Sequence, residues 1–577
     1  MSRPGTSEFR HETNNLEERG RRRHPRPRRR GLQQQLELPE FLRFPPPKTG
    51  QPLVIESTPL SPMTDNFNPL SSTSTGFLTN AVALYYEPLY IWNYLKPTQP
   101  GIPILASGQP TFSNGGKTLT VPIRSGVKWN DGKAFTASDV AYTFNLIKAH
   151  PALFTTGAPL VTSASAPSAT SVQLNFATPQ YANLFLIGQV YIVPQHVWST
   201  VGNPVTFADP KPVGTGPYML DKFSPQGYTL KINPFYRDKS ALHVPVIDFP
   251  SYNTNANLVP PIQSGSIDWA GNYVSDIQGN YLSKSPENHT WLAGQPYFNA
   301  NNVVSLFVNT TKAPLNDPAV RQAIEFGINR QQLSQQAETG YELPTSSTSG
   351  LLLPAQSAYQ DPALANNLPA AGDAAKVASI LQADHWSKVN GKWTKNGKTL
   401  AFKISDPVPY SDYYTADQLI AKQLNSLGFD VTVDGIGNPT VWAGDVANGT
   451  FDTTIRWSNQ GPNPYVFYSG WLDKRLSAPV GKPATGDFGR FSNGAAQAAL
   501  QQYESSGSTT VQNQAITKLQ QVMTSEAPVI PLLYGGAWAE YSSRNYTNWP
   551  TSSNPYMTPV PNTPYLLYTV MQLKPKS

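Results

Sequence analysis

Residues 125–140 constrain the fold of this chain more than any other stretch. Before them, 118–124 is rich in apolar and β-branched residues and reads as a strand. Asn130-Asp131-Gly132 then supplies a tight turn, and Thr136-Ala137-Ser138-Asp139 opens a helix. The Thr136 hydroxyl is placed to cap that helix, Asp139 stands at the third position to return the bond, and Val140, Tyr142, Phe144 and Leu146 continue it. Local physics alone makes this a strand–turn–helix unit.

The same alternation runs through the rest of the sequence. Leu53-Val54-Ile55-Glu56 starts a short strand, residues 80–89 read as a helix ended by Pro88, and residues 171–176 alternate with period two. Residues 417–427 place Leu419, Ile420, Leu424 and Leu427 on one helical face, stopped by Gly428 and followed by a strand at 429–433. Alternating strand and helix signals predict an α/β protein with mixed sheets. At 577 residues the chain is too long for one hydrophobic core, and a chain of this length normally divides into two or more lobes.

The net charge of +6 is local. Twelve of the 43 Lys/Arg but only six of the 37 Asp/Glu fall in residues 1–50, so the remainder is balanced. The basicity belongs to an arm around Arg21-Arg22-Arg23 and Arg28-Arg29-Arg30, polar and broken by prolines, which reads as a disordered leader ending near Gly50. Such an arm can touch phosphates, yet no nucleic-acid motif accompanies it in the body, and no nucleic-acid partner is expected. Cysteine is absent, which excludes disulfides, thiolate metal sites and a cysteine nucleophile. No secretion signal is recognised, and no apolar run approaches the length of a membrane span.

Searches for catalytic constellations end in near misses. Gly116-Lys117-Thr118 and Gly397-Lys398-Thr399 lack the earlier glycine of a phosphate loop and read as turns. Gly214-Thr215-Gly216 has Met219 where a dinucleotide fingerprint needs its third glycine, and no nucleophile elbow occurs. The body histidines, His150, His196, His243, His289 and His385, show no metal-ligand spacing; neither metal nor cofactor is expected. The positive signal is aromatic: 12 Trp, 28 Tyr and 24 Phe, several of them in loops with Asn, Gln and Gly, where flat faces beside neutral amides suit sugars or peptides. Trp129, Trp269 and Tyr218 read as core.

The spacing of Trp129, Asp131-Gly132 and Thr136-Ala137-Ser138-Asp139-Val140 resembles the signature of the solute-binding proteins that deliver peptides, nickel or oligosaccharides to bacterial ATP-driven importers. Val213-Gly214-Thr215-Gly216-Pro217-Tyr218 is similar to that family's crossover. Leu306-Phe307-Val308-Asn309 with Pro314-Leu315-Asn316-Asp317-Pro318-Ala319-Val320-Arg321-Gln322-Ala323-Ile324 resembles its strand-to-helix passage. The likeness runs from about residue 53 to the end. It implies a type II periplasmic-binding fold with two main lobes, a hinge and an additional inserted lobe: lobe I at about 51–89, 206–300 and 537–577, the insert at 90–205, and the opposing lobe at 301–536. It further implies a monomer outside the cytoplasm, a binding protein and not an enzyme, with a small solute and the transmembrane subunits of a permease as partners. The lipid-anchoring cysteine common in Gram-positive members is missing.

Within that likeness, residues 456–464 occupy the place of a ligand-contacting loop. Peptide-binding members carry an Asp three residues after the Trp, which pairs with the peptide ammonium; here Trp457 is followed by Ser458, Asn459 and Gln460, and a second often acidic place is Asn463. Amides in place of carboxylates favour a neutral ligand, unless an acid from elsewhere, such as Glu87 or Asp412, supplies the anchor. Trp457, Tyr465 and Trp471 are candidates for stacking, Ser458, Asn459, Gln460 and Asn463 for polar contacts, and Tyr86 and Glu87 for the facing edge of lobe I. The resemblance thus predicts a receptor for an oligopeptide or neutral oligosaccharide. The alternatives are a hydrolase with carboxylates assembled in space and a nucleic-acid binder acting through the arginine arm.

Overall fold

The computed structural model describes residues 50–576 other than 57–59, 154–156, 253–254, 272 and 564; the arginine-rich arm lies outside the described residues. The strand–turn–helix unit is present as Thr118–Pro122 and Ala137–Ala149. Thr136 Oγ1 accepts from Ser138 N, and Asp139 Oδ2 accepts from Thr136 N at 3.0 Å, completing the capping box. Val140, Phe144 and Ile147 are buried against a four-stranded antiparallel sheet in the order Thr111–Ser113, Thr118–Pro122, Ser171–Asn175, Ser163–Ser168. This is the inserted lobe.

Two larger sheets carry the main lobes. In the first, Leu53–Glu56 lies parallel to Val246–Pro250 on one side and Trp269–Ala270 on the other. Gly227–Ile232 and Tyr218–Ser224 extend the first side, Glu540–Ser542 and Asn288–His289 the second. The second sheet has the order Leu343–Pro344, Val529–Gly536, Ala300–Val308, Thr453–Trp457, Ala401–Pro407, Asp430–Ile436. Each main lobe has its own core. The insert shares the core of the first lobe, with Leu119, Val172 and Leu174 in one cluster with Leu53, Tyr218 and Ile247. The chain crosses between lobes twice, side by side. Ala300 pairs with Gly536, and Ala537 N donates to Asn299 O at 2.8 Å, so two hydrogen-bonded linkers form the hinge. Among the described residues no helix is long and apolar enough to cross a membrane.

The family-like motifs turn out to be joints of the scaffold. Gly214 and Gly216 sit against the backbone of Leu84 and Tyr85: a Cβ on Gly214 would lie 1.7 Å from Tyr85 O, and one on Gly216 2.3 Å from Leu84 O. Gly216 N donates to Tyr85 O, and Asn130 N from the tight turn donates to Gly214 O. Arg321, almost fully buried, donates to Glu526 O and Leu315 O and so ties its helix to the end of Thr509–Glu526.

Two local expectations are corrected. The helix expected over 80–89 is a single turn, Val82–Tyr85, after which Tyr86 is extended at φ −114°. Pro88 disfavours a helical Glu87, and the Tyr85 carbonyl that a continued helix would use is taken by Gly216 N. The helix expected from 417 begins six residues earlier, as Ser411–Ser426; Gly428 ends it as expected, at φ +102°.

Candidate functional site

Strand Thr453–Trp457 ends at the lobe boundary, so Trp457 is 40% exposed while Ile455 is buried. Ser458 N donates to Val303 O and Ser458 Oγ accepts from Val303 N, which carries the ladder one residue further with a side chain. The chain then leaves the sheet, exposes Asn459 and Gln460, and re-enters as the helix Pro464–Leu472. Beneath Trp457, Trp442 Nε1 donates to Thr454 Oγ1, which donates to Asp406 Oδ1; the other Asp406 oxygen accepts from Ile455 N. Burial pushes the Asp406 carboxyl up to about 7. The Arg456 guanidinium lies over the rings of Phe488 and Trp442, at 4.6 and 5.1 Å, and stiffens the platform on which Trp457 stands.

Between the lobes, in front of Trp457, is a cavity of about 350 Å³. Its aromatic walls are Trp457 and Tyr413 from one lobe, with ring centroids 6.3 Å apart, and Trp538 from the other side of the hinge. Five carboxamides line it: Asn301, Asn302 and Gln460 beside Trp457, and Asn80 and Asn562 opposite. Glu342 is its one carboxylate among the described residues. Trp538 packs edge-on against Phe298 at 4.8 Å and Tyr273 at 5.4 Å, near Tyr341. Phe298 and Tyr341 line a second, largely apolar cavity of about 540 Å³, so this aromatic cluster stands between the two spaces.

Of the residues singled out in the sequence, the structure brings Trp457 and Gln460 to this cavity. Asn459 is exposed but folds back, its amide lying against Gly470 of the next helix. Asn463 is half-buried at the head of that helix, without a side-chain cap bond, and is not among the lining residues. Ser458 is buried in the ladder. Tyr465 stacks on Tyr503, with ring centroids 4.5 Å apart, and its hydroxyl donates to Glu504; Trp471 is in the core beside Phe467 and Gly350. Tyr86 is fully buried and donates to Asp209 at 2.7 Å. Glu87 is fully buried in a two-pronged pair with Arg237, both bonds 2.8 Å, and the carboxylate beside Arg237 holds the guanidinium above its ordinary pKa. Tyr465, Tyr86 and Glu87 are committed within a lobe because the side chain that claims each lies far along the chain, at Glu504, Asp209 and Arg237.

The sequence reading missed Asn80, Asn301, Asn302, Glu342, Tyr413, Trp538 and Asn562. A weak signal existed for some of them. The amides of Asn299, Asn301 and Asn302 head the apolar strand run of 303–308, and Glu342 is a lone acid between Tyr341 and Leu343.

The chain matches the family described as bacterial extracellular solute-binding proteins, family 5, over residues 101–478. A putative ABC transporter peptide-binding protein of Brucella abortus is 24% identical over 436 residues, 71% of this chain and 74% of that protein. The nickel-binding periplasmic protein of Escherichia coli is 26% identical over 388 residues, 63% and 68%. Among solved structures, a periplasmic oligopeptide-binding protein of Thermotoga maritima superposes with a TM-score of 0.82 at 23% identity, covering 91% of this chain and 99% of that one; its mannohexaose-bound form gives 0.75, with 91% and 98% covered. AppA of Bacillus subtilis, in complex with a nonapeptide, gives 0.68 at 17% identity, covering 92% and 100%. These structures share the type II fold with its hinge and inserted lobe. The chain belongs to the bacterial extracellular solute-binding proteins of family 5, and it is a binding protein and not an enzyme.

Proposed function

We propose that this protein is the receptor of an ABC importer that captures an oligopeptide or oligosaccharide between its lobes and hands it to a membrane permease. The observation that carries the reading is the cavity before Trp457, to which both lobes contribute amides and rings. Carboxamides offer donor and acceptor together, and aromatic faces stack on sugar rings or pack against side chains. A solute held this way contacts both lobes only when they are closed, so its binding free energy draws the hinge shut. Relatives named as peptide-binding proteins and a structural neighbour crystallised with mannohexaose support the two solute classes.

The test is a thermal-shift and titration screen against oligopeptides and neutral oligosaccharides, with recovery of the bound compound. A rise in melting temperature, an unchanged compound, and at least tenfold weaker binding by both Trp457→Ala and Asn562→Ala are expected. Turnover of the compound, or binding indifferent to both substitutions, would overturn the reading.

A further inference from the structure

Three carboxyls on one side of the cleft take no part in the ring and amide contacts just assigned to the solute. Glu338 follows the helix Arg330–Gln336, Glu342 lies four residues on, and Asp412 is in the first turn of Ser411–Ser426. Glu338 and Glu342 are both at least 98% buried. Glu342 lines the cavity; its Oε1 accepts from Gly536 N at 2.9 Å, while its Oε2 is buried without a partner. Both Glu338 oxygens are buried and unpartnered as well. Among the described residues no ion pair joins Glu338, Glu342 or Asp412 to a lysine, arginine or histidine. Two further acceptors at the same cavity, Asn302 Oδ1 and Asn562 Oδ1, also lack donors. Buried polar atoms in native proteins almost always have partners, and a cluster of acceptors beside a cavity asks for a ligand rich in donors.

We propose that this wall receives a positively charged group of the solute, a primary ammonium, with Glu342 as its direct partner and Glu338 and Asp412 supplying negative charge behind it. The proposal rests on the receptor reading of the cleft and narrows it. Gln460 on the same wall is uncharged, so Glu342 is the carboxylate among the described lining residues that a cation in this cavity meets. An ammonium gives three donors and one positive charge at once. It takes the place of protons held by the buried carboxyls and turns unpartnered oxygens into charge-assisted bonds, whereas neutral hydroxyls give donors only. The faces of Tyr413 and Trp457, on the same wall, suit a cation as well.

The electrostatics agree. Burial pushes Glu342 up to about 8, with Asp412 adding to the rise; burial followed by the charges of Glu342 and Asp412 raises Glu338; and burial raises Asp412. Asp406, Asp417 and the phenols of Tyr413, Tyr273 and Tyr341 lie around the cluster, and the cation on the same wall, the Arg456 guanidinium, is held against the rings of Trp442, Phe488 and Trp457 and interacts with Asp406. An arriving ammonium therefore displaces protons from the cluster, and affinity rises with pH while the ligand stays charged.

The test is titration of the full chain with two probe pairs matched except for charge: tetra-alanine against N-acetyl-tetra-alanine, and a glucosamine tetramer against its fully N-acetylated form. The ammonium-bearing member of at least one pair is expected to bind at least tenfold tighter, and which pair shows the preference identifies a peptide or an amino sugar as the source. Affinity for that member should rise from pH 5.5 to 7, with proton uptake by the buffer. Glu342→Gln, nearly isosteric, is expected to abolish the preference without lowering the melting temperature, and Glu338→Gln to reduce it several-fold. Equal behaviour within both pairs, including no binding by any member, or a preference that survives Glu342→Gln, overturns the proposal. Mannohexaose binding that depends on Trp457, with no ammonium preference, would do the same and leave the receptor reading standing.

Discussion

Glu87 and Trp457 are the two residues on which the binding reading of the sequence leaned from opposite lobes, and their surroundings separate them. Glu87 has no exposure and is clamped by Arg237, 150 positions away; removing its carboxylate strands a largely buried guanidinium. Glu87→Ala is expected to cost about 3 kcal/mol in denaturant unfolding and to leave solute affinity unchanged once the variant is folded. Trp457 has the opposite balance, 40% exposed on a platform held from below by Trp442 and Arg456. Trp457→Ala should change stability by less than about 1 kcal/mol while removing at least nine-tenths of the affinity in a titration. Side-chain chemistry made both look like ligand contacts; an acid beside two tyrosines reads alike whether its partner is a solute or an arginine far along the chain.

Among the elements, those with local causes were readable. The Thr136 capping box formed as the sequence implied, and Thr136→Ala should lower stability by about 1 kcal/mol, read from the denaturation midpoint. Gly428 stops Ser411–Ser426 because its positive φ suits glycine. The crossover glycines act through packing and not through torsion. Gly214→Ala drives a methyl into Tyr85 O and is expected to cost about 3 kcal/mol or to prevent folding, although position 214 has no unusual backbone angle. The same contact explains why residues 80–89 failed as a helix. Their local preference was helical, but a tertiary hydrogen bond from Gly216 claimed the Tyr85 carbonyl.

For the whole molecule, the buried carboxyls set the response to pH. Burial raises Glu325 and Glu342 to about 8, Asp487 to about 8 and Asp406 to about 7, from ordinary values near 4. A group whose folded pKa lies above its unfolded one holds its proton longer in the folded state. The folded state therefore suffers no penalty below about pH 4 and loses stability progressively as pH rises towards 8, each such carboxyl costing about 1.4 kcal/mol per pH unit crossed between its unfolded and folded values. The melting temperature without solute should accordingly be lower at pH 8.5 than at pH 5.5, and a flat or opposite profile would contradict these raised values. Closure adds the second global property. The paired linkers at Asn299 and Ala537 are hydrogen-bonded to one another, so the lobes should move as rigid bodies about that point, and a solute that binds should reduce the radius of gyration in solution scattering.

The sequence by itself determined the class of fold, the signature unit at 125–140, the crossover at 213–218, the core roles of Trp129, Trp269 and Tyr218, and, through the family pattern, the loop that carries Trp457 and Gln460. Those features follow from spacing, capping and turn chemistry within a few residues, or from a family pattern that preserves them. Tertiary structure alone decided which aromatic and acidic residues face the cleft. Tyr465, Trp471, Tyr86 and Glu87 found partners inside their lobes, while Asn80, Tyr413, Trp538, Asn562 and Glu342 were brought together from five separate stretches of chain. Burial and pairing are properties of distances in space, and a cleft between two hinged lobes is assembled from residues whose separation along the chain carries no trace of their meeting.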